Sequence, residues 1–143
     1  MIYCDASLLV AVLTPERHSG EARRWFVAQG EANFVISNWV DAEIASALAM
    51  KVRRGVLTQQ ERVLVWSEWE DVLAMRIPSG EVQVEDFRRA ARLVDAGPGL
   101  RAGDALHLAI AVRLRCAVAT LDHDLAEAAR ALGLGAPTIL AIP

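Results

Sequence analysis

Short, continuous apolar runs alternate along the chain with longer stretches whose apolar residues recur at helical spacing. The runs at residues 1–4 (MIYC), 33–37 (NFVIS) and 117–121 (AVATL) predict buried strands. Residues 75–77, ended by Pro78, are a minimal further candidate, and residues 138–142 a last one. Helical spacing predicts a short helix over 8–13 closed by Thr14-Pro15, and a second over 21–29 with Ala22, Trp25 and Phe26 inward and Gly30 as C-cap. A long helix over about 39–54 follows, capped by Ser37 or Asn38, stopped by Gly55 and burying Val40, Ile44, Ala47 and Leu48. Thr58 to Glu61 has the capping-box pattern and opens a helix with Val63, Leu64, Trp66, Trp69 and Leu73 to bury. Residues 84–96 form another, with Phe87, Ala90, Ala91 and Val94 inward and Arg88, Arg89 and Arg92 outward; residues 125–132 form the last. Strands that are apolar throughout, alternating with helices, indicate an α/β fold, a three-layer α/β/α arrangement with a mostly parallel central sheet flanked by helices.

One helix is unlike the others. Residues 100–112 (LRAGDALHLAIAV), delivered by the Gly97-Pro98-Gly99 breaker and running on to about Arg115, are apolar almost all round, which predicts burial. Its first turn nevertheless carries Asp104, with His107 one turn on and facing the same side. An ionised carboxylate in such a setting is costly unless it is paired, hydrogen-bonded or bound to a metal. Three further acids supply a reason. Asp5 and Asp122 each follow an apolar strand at its carboxyl end, where open α/β sheets bind ligands, and Glu43 sits about one turn into the long helix. The expectation is that Asp5, Glu43, Asp104 and Asp122 converge on one end of the sheet.

Two carboxylates about 4 Å apart repel by about 4 kcal/mol at an effective dielectric near 20, so four together either take up protons or bind a cation. Oxygen-only ligands suit Mg²⁺ or Mn²⁺ rather than zinc. Such ions, about 3.5–4 Å apart, can activate water and stabilise the leaving oxygen in phosphodiester hydrolysis. Ser7 and Thr120, each two residues from one of these aspartates, are placed to hold water or a phosphate oxygen.

Composition narrows the class. The 143 residues fit a single domain, 1–143, and 54% hydrophobic with 23% charged residues excludes a disordered chain. Cys4 and Cys116 lie in apolar runs and read as small buried hydrophobes, and His18, His107 and His123 have no zinc-finger spacing. The first residues carry no basic leader and Asp5 interrupts them, and no apolar run is long enough to span a bilayer; the expectation is a cytoplasmic protein with no membrane partner. A net charge of −3 argues against a base-coated nucleic-acid binder and leaves room for a local basic patch beside an acidic pocket.

Asp5-Ala6-Ser7, the stretch from Ser37 to Glu43, LRAGDALHLA and Thr120-Leu121-Asp122, in that order, resemble the PIN-domain ribonucleases of the VapC toxin type over residues 1 to about 142. The resemblance implies a parallel sheet flanked by helices. It also implies a Mg²⁺- or Mn²⁺-dependent endoribonuclease, the toxin of a type II toxin–antitoxin pair, that hydrolyses RNA through metal-activated water, forms a homodimer and is inhibited by a cognate antitoxin. The family's catalytic and metal-binding acids fall on Asp5, Glu43, Asp104 and Asp122. Around them, His107 reads as a hydrogen-bonding partner of the site rather than a direct ligand. Arg88, Arg89, Arg92 and Arg101 are candidates to steer an RNA backbone, a plain solvated face being an equal reading for the first three. Asp124 has two readings, a cap of the last helix, which is favoured, or a link to metal through water. Asp41 reads as a partner of the helix dipole. Trp66 and Trp69 read as core or interface, and an apolar patch left with Trp39 would suit a dimer partner or an antitoxin helix.

Other classes fit less well. A phosphatase with an aspartyl nucleophile ending its first strand wants a second acid two residues on, where this chain has Ser7; a receiver-like signalling domain needs a late lysine, and the only lysine is Lys51. A PIN fold kept for RNA or protein binding without catalysis is the remaining alternative.

Overall fold

Strands β1 (Ile2–Cys4), β2 (Phe34–Ser37), β3 (Ser79–Gly80) and β4 (Ala117–Ala119) pair in the order β3-β2-β1-β4, every pairing parallel, in the computed structural model, which describes residues 1–30, 33–96, 99–137 and 139. Tyr3 pairs with Val35 on one side and Val118 on the other. Because side chains alternate along a strand, Cys4, Phe34, Ile36 and Ala119 face one layer, whereas Tyr3, Val35 and Val118 face the other. The first layer is built on α1 (Ala6–Leu13), α2 (Ser19–Gln29) and α3 (Trp39–Arg53). The second is built on α6 (Ala102–Leu114) and α7 (His123–Ala131), with α5 (Val84–Ala96) packed against α6. Both faces of β1, β2 and β4 are therefore covered, which is why those strand runs are apolar. The three-layer α/β/α arrangement expected from the pattern is the observed one.

The strand order reverses between β1 and β4: from β1 the chain moves outward to β2 and β3, then returns to pair on the far side of β1. A crevice opens at such a reversal, beyond the carboxyl ends of the two strands. Asp5 and Thr120 occupy the positions just after them.

Several expectations need correction. No strand forms over 75–77. Helix α4 (Gln59–Glu68), capped at Thr58 as expected, continues into one π-helical turn (Trp69–Leu73) that buries Trp69 and lets its indole N–H donate to Asp41 Oδ1 at 2.9 Å. Pairing begins only past Pro78, which has no N–H to give but accepts from the Ile36 N–H at 3.0 Å. Along α4 itself Val63 and Leu64 are exposed and Trp66 is half-buried, because this helix leans on α3 rather than covering the sheet. In α5, Phe87, Ala91 and Val94 face outward. The helix is turned by Asp86, 1% exposed, whose carboxylate receives the Arg113 guanidinium in a two-pronged contact at 2.7 and 2.8 Å; Asp86 and Ala90 thus face α6. Asn38 caps α3 without a side-chain hydrogen bond and instead accepts from the Val82 N–H at 3.1 Å, holding the approach to α5. Of the strand expected over 138–142, only Ile139 is described, buried in the first core layer; Gly97 and Pro98 likewise lie outside the described residues.

Helix α6 ends on Arg115, which adopts φ 54° and ψ 44°. A left-handed conformation costs a residue bearing a Cβ roughly 1–2 kcal/mol. Arg115→Gly is expected to raise the unfolding free energy by about 0.5–1 kcal/mol, the gain being reduced by glycine's greater freedom in the unfolded chain, as read from urea denaturation midpoints.

Candidate active site

Asp5 leaves β1 in an extended conformation and caps α1, its Oδ1 accepting from the Leu8 N–H at 3.3 Å. Two hydroxyls add to this: Ser7 donates to Oδ1 at 2.8 Å and Thr120, from beyond β4, donates to Oδ2 at 3.0 Å. Asp122 repeats the arrangement one strand over, capping α7 by accepting from the Leu125 N–H at 3.0 Å. The two strand ends are stitched together, since the Leu121 N–H donates to Ser7 Oγ at 2.9 Å, and Thr120 Oγ1 is itself held by the Asp122 N–H at 2.9 Å. Ser7 and Thr120, expected to hold water or phosphate, are thus engaged in fixing Asp5.

Glu43 projects from the second turn of α3, where His107 Nε2 meets its Oε2 at 2.6 Å. Asp104, in the first turn of α6, accepts from the Arg101 N–H at 3.3 Å. All four acids line one cleft of about 630 Å³, together with Ser7, His107 and Arg101. The convergence expected from the sequence is therefore the observed arrangement.

Burial pushes the Asp5 carboxyl, 5% exposed, above the ordinary aspartate range, only partly offset by His107 and by its hydrogen bonds from Ser7, Thr120 and Leu8. Asp104 is also pushed up, first by burial and then by the nearby Asp122 carboxylate. Among the described residues, the ion pairs seen engage only Glu43 of the four acids, through His107. Among the described residues no three His, Cys, Asp or Glu side chains stand arranged to hold an ion.

Asp124 is placed otherwise than expected. Asp122, not Asp124, caps α7, and the Asp124 side chain is 80% exposed beside His123, on a different groove. Two positions along the helix start decide this, because only the residue with extended backbone just before the first turn can cap it. Arg88 and Arg92 are paired with Glu85 on the outer face of α5, whereas Arg101 alone of the four arginines lines the acidic cleft.

Four residues at or behind the site were given no role in it by the sequence: Tyr3, Glu16, Ser46 and Ser37, the last read only as a candidate helix cap at the start of a family-like stretch. Tyr3 OH lies 2.8 Å from both Ser37 Oγ and His107 Nδ1. A polar group ending a strand one residue before a capped helix was the available signal for Ser37. For Tyr3, the sole tyrosine, in an apolar strand run, the signal was the need of its hydroxyl for a partner. Glu16 reaches the cleft from the α1–α2 connection, held by Lys51 at 2.6 Å, and Ser46 from the turn of α3 after Glu43.

The PIN domain family matches residues 2–131. The chain belongs to the PIN-domain family. As a PIN domain it is 32% identical, over 125 residues, to Ribonuclease VapC3 of Pyrobaculum aerophilum, a match covering 86% of this chain and 90% of that one. Its fold superposes on VapC20 of Mycobacterium tuberculosis, described as a sarcin-ricin loop cleaving toxin, with a TM-score of 0.72, 17% identity and coverage of 90% and 95% of the two chains. It superposes on FitAcB from Neisseria gonorrhoeae with a TM-score of 0.75, 18% identity and coverage of 99% and 100%. At such identities these two likenesses speak to the fold. The PIN-domain resemblance read from four short motifs is thereby borne out. Dependence on divalent metal is general among PIN-domain ribonucleases. Among the described residues no helix is long and apolar enough to cross a membrane.

Proposed function

We propose that this PIN domain is a Mg²⁺- or Mn²⁺-dependent endoribonuclease, the toxin of a toxin–antitoxin pair, acting through Asp5, Glu43, Asp104 and Asp122 and restrained by a cognate antitoxin protein. The observation that carries the reading is the cleft itself, in which acids from four separate segments meet with no lysine or arginine ion-paired to any of them among the described residues. The donor set fits a hard divalent ion, being carboxylate oxygen throughout. Such an ion would offset the burial that lifts Asp5 and Asp104 and the Asp122 charge that adds to the lift on Asp104, lower the pKa of a water and neutralise charge at the scissile phosphate. The chain's own residues do the rest. Ser7, Thr120 and the Leu8 N–H hold Asp5 in one orientation, and the helix caps fix Asp5 and Asp122 on either side of the crevice. Arg101, at the rim, meets the RNA backbone by charge. A homodimer suits the apolar strip of α5, where Phe87 and Val94 are exposed beside a groove also lined by Trp39 and Leu106.

The purified chain is expected to cut RNA with Mg²⁺ or Mn²⁺ and to stop on addition of EDTA. RNA bound but left intact in either metal would overturn the catalytic reading. A pH effect accompanies it. Because the folded protein holds the Asp5 and Asp104 protons more tightly than the unfolded chain, their penalty on the metal-free fold is present at neutral pH and relieved on acidification. Mn²⁺ is therefore expected to raise the melting temperature more at pH 7.5 than at pH 5; an equal or reversed shift would contradict the ionisation order.

A further inference from the structure

Behind the cleft lies a buried polar chain that no sequence motif announced. Ser37 Oγ and His107 Nδ1 each sit 2.8 Å from Tyr3 OH, and His107 Nε2 sits 2.6 Å from Glu43 Oε2. Ser37 and Tyr3 are fully buried and His107 is 2% exposed, while the Glu43 side chain at the end of the chain reaches the cleft. Strand register explains the meeting: Tyr3 and Ser37 share the sheet face on which α6 lies, and His107 is the α6 side chain one turn beyond Asp104.

Hydrogen-bond roles follow from the donor inventory. An ionised Glu43 can only accept, so Nε2 of the ring carries the hydrogen. In a neutral ring Nδ1 then accepts, so the Tyr3 hydroxyl donates to it, and the Tyr3 oxygen accepts from Ser37. A protonated ring satisfies the links as well, with Nδ1 donating to Tyr3 and Tyr3 to Ser37; in both arrangements Nε2 donates to Glu43. Glu43 is confined from the other side as well. A Cβ built on Gly103 would lie 3.3 Å from Glu43 Oε1, tighter than ordinary contact, so the carboxylate rests against the first turn of α6 one residue before Asp104.

We propose that Ser37, Tyr3 and His107 form a positioning chain that fixes the Glu43 carboxylate, holding Oε2 and setting Oε1 over Gly103 toward Asp104, so that Glu43 is pre-set to ligate a divalent cation. This rests on the cation reading above. Tyr3 touches neither cleft nor substrate and acts only through His107. Losing such a supporting partner typically weakens metal affinity by roughly 10–100-fold.

The test is Mn²⁺ binding followed by electron paramagnetic resonance, with ¹⁵N spectra of the histidine ring, on the whole chain. Tyr3→Phe removes one buried oxygen and keeps the ring in the core; it is expected to weaken Mn²⁺ binding by roughly 10-fold. His107→Leu is expected to weaken it at least as much, and His107→Gln, whose amide can still donate to Glu43, to recover most of the loss. Ile110→Val, a core change on the same helix, is expected to leave affinity within twofold while lowering the melting temperature. The His107 ring in the parent is expected to carry its hydrogen on Nε2. Folded Tyr3→Phe and His107→Leu proteins that bind Mn²⁺ as the parent does would overturn the proposal, as would equal losses in His107→Gln and His107→Leu. Should His107→Leu fail to fold, Tyr3→Phe decides alone. A parent chain that binds no Mn²⁺ removes the cation reading and this proposal with it, whereas a parent that binds with unchanged variants removes the proposal only.

Discussion

Asp5→Asn is expected to lower RNA cleavage by on the order of 10²–10³-fold, the scale set by removing one pre-organised charged group from a catalytic site. Fold will not be the cause. The substituted amide oxygen can keep the hydrogen bonds from Ser7 and Leu8, and Thr120 can turn its hydroxyl to accept from the new amide. The change also removes a charge that burial penalises, so the metal-free variant is expected to melt at or above the parent temperature at pH 7.5. Activity and stability therefore move in opposite directions. Cleavage of a labelled RNA alongside a thermal melt measures both; a variant that loses activity by melting early would show that Asp5 serves the fold and not the chemistry.

Arg113→Ala is expected to destabilise the protein by about 1–3 kcal/mol, because it leaves the Asp86 carboxylate, covered by that side chain, without its cation. A loss of that size is a large share of a typical domain's stability. The double variant Asp86→Leu with Arg113→Leu is expected to recover most of it, since apolar replacement of both partners removes the stranded charge. The pH dependence has a defined sign. In the parent, burial would raise Asp86, but hydrogen bonds from Arg113 and the Gln83 N–H outweigh it, and its pKa is lowered. The pair's contribution is thus fully present above the ordinary aspartate value near about 3.9 and is lost as pH falls through the lowered one. In Arg113→Ala burial is opposed only by the Gln83 N–H and the Arg89 charge, the Asp86 proton is held more tightly than in the parent, and the deficit relative to the parent is expected to shrink between neutral pH and about 4. Urea denaturation across that range checks it, and a deficit that stays constant would mean that Asp86 is not the stranded charge.

The two variants probe opposite uses of a buried carboxylate. Asp86 is neutralised within the fold by a two-pronged guanidinium, and it helps lock α5 to α6. Asp5 is surrounded by uncharged donors, which fix its direction without cancelling its charge. The first arrangement is a structural joint; the second leaves a carboxylate oriented at the cleft with its charge uncancelled.

Much of this was already present in the sequence. Apolar strand runs without alternation required a sheet covered on both faces, and an all-apolar helix interrupted by Asp104 required something to answer that charge. Acids ending two strands and opening two helices had to gather wherever those strands ran side by side. These features are local or follow from periodicity, and each survived in the folded chain. The rotation of α5 did not, because the apolar stripe of Phe87, Ala91 and Val94 suggested one face while the Asp86–Arg113 pair, 27 residues apart, fixed another. The strand at Ser79–Gly80 was hidden by its brevity and by the π-helical turn before it. Capping by Asp122 rather than Asp124 depended on where the backbone leaves the strand, which composition does not reveal.

The sequence by itself determined which residues are acids, which segments are buried and in what order strands and helices follow, because periodicity and capping act over a few residues. Only the tertiary structure decided which acids share a cleft with no lysine or arginine paired to them, and that Tyr3 reaches Glu43 through His107, because hydrogen bonds between residues 64 and 104 positions apart exist only once register and strand order are set.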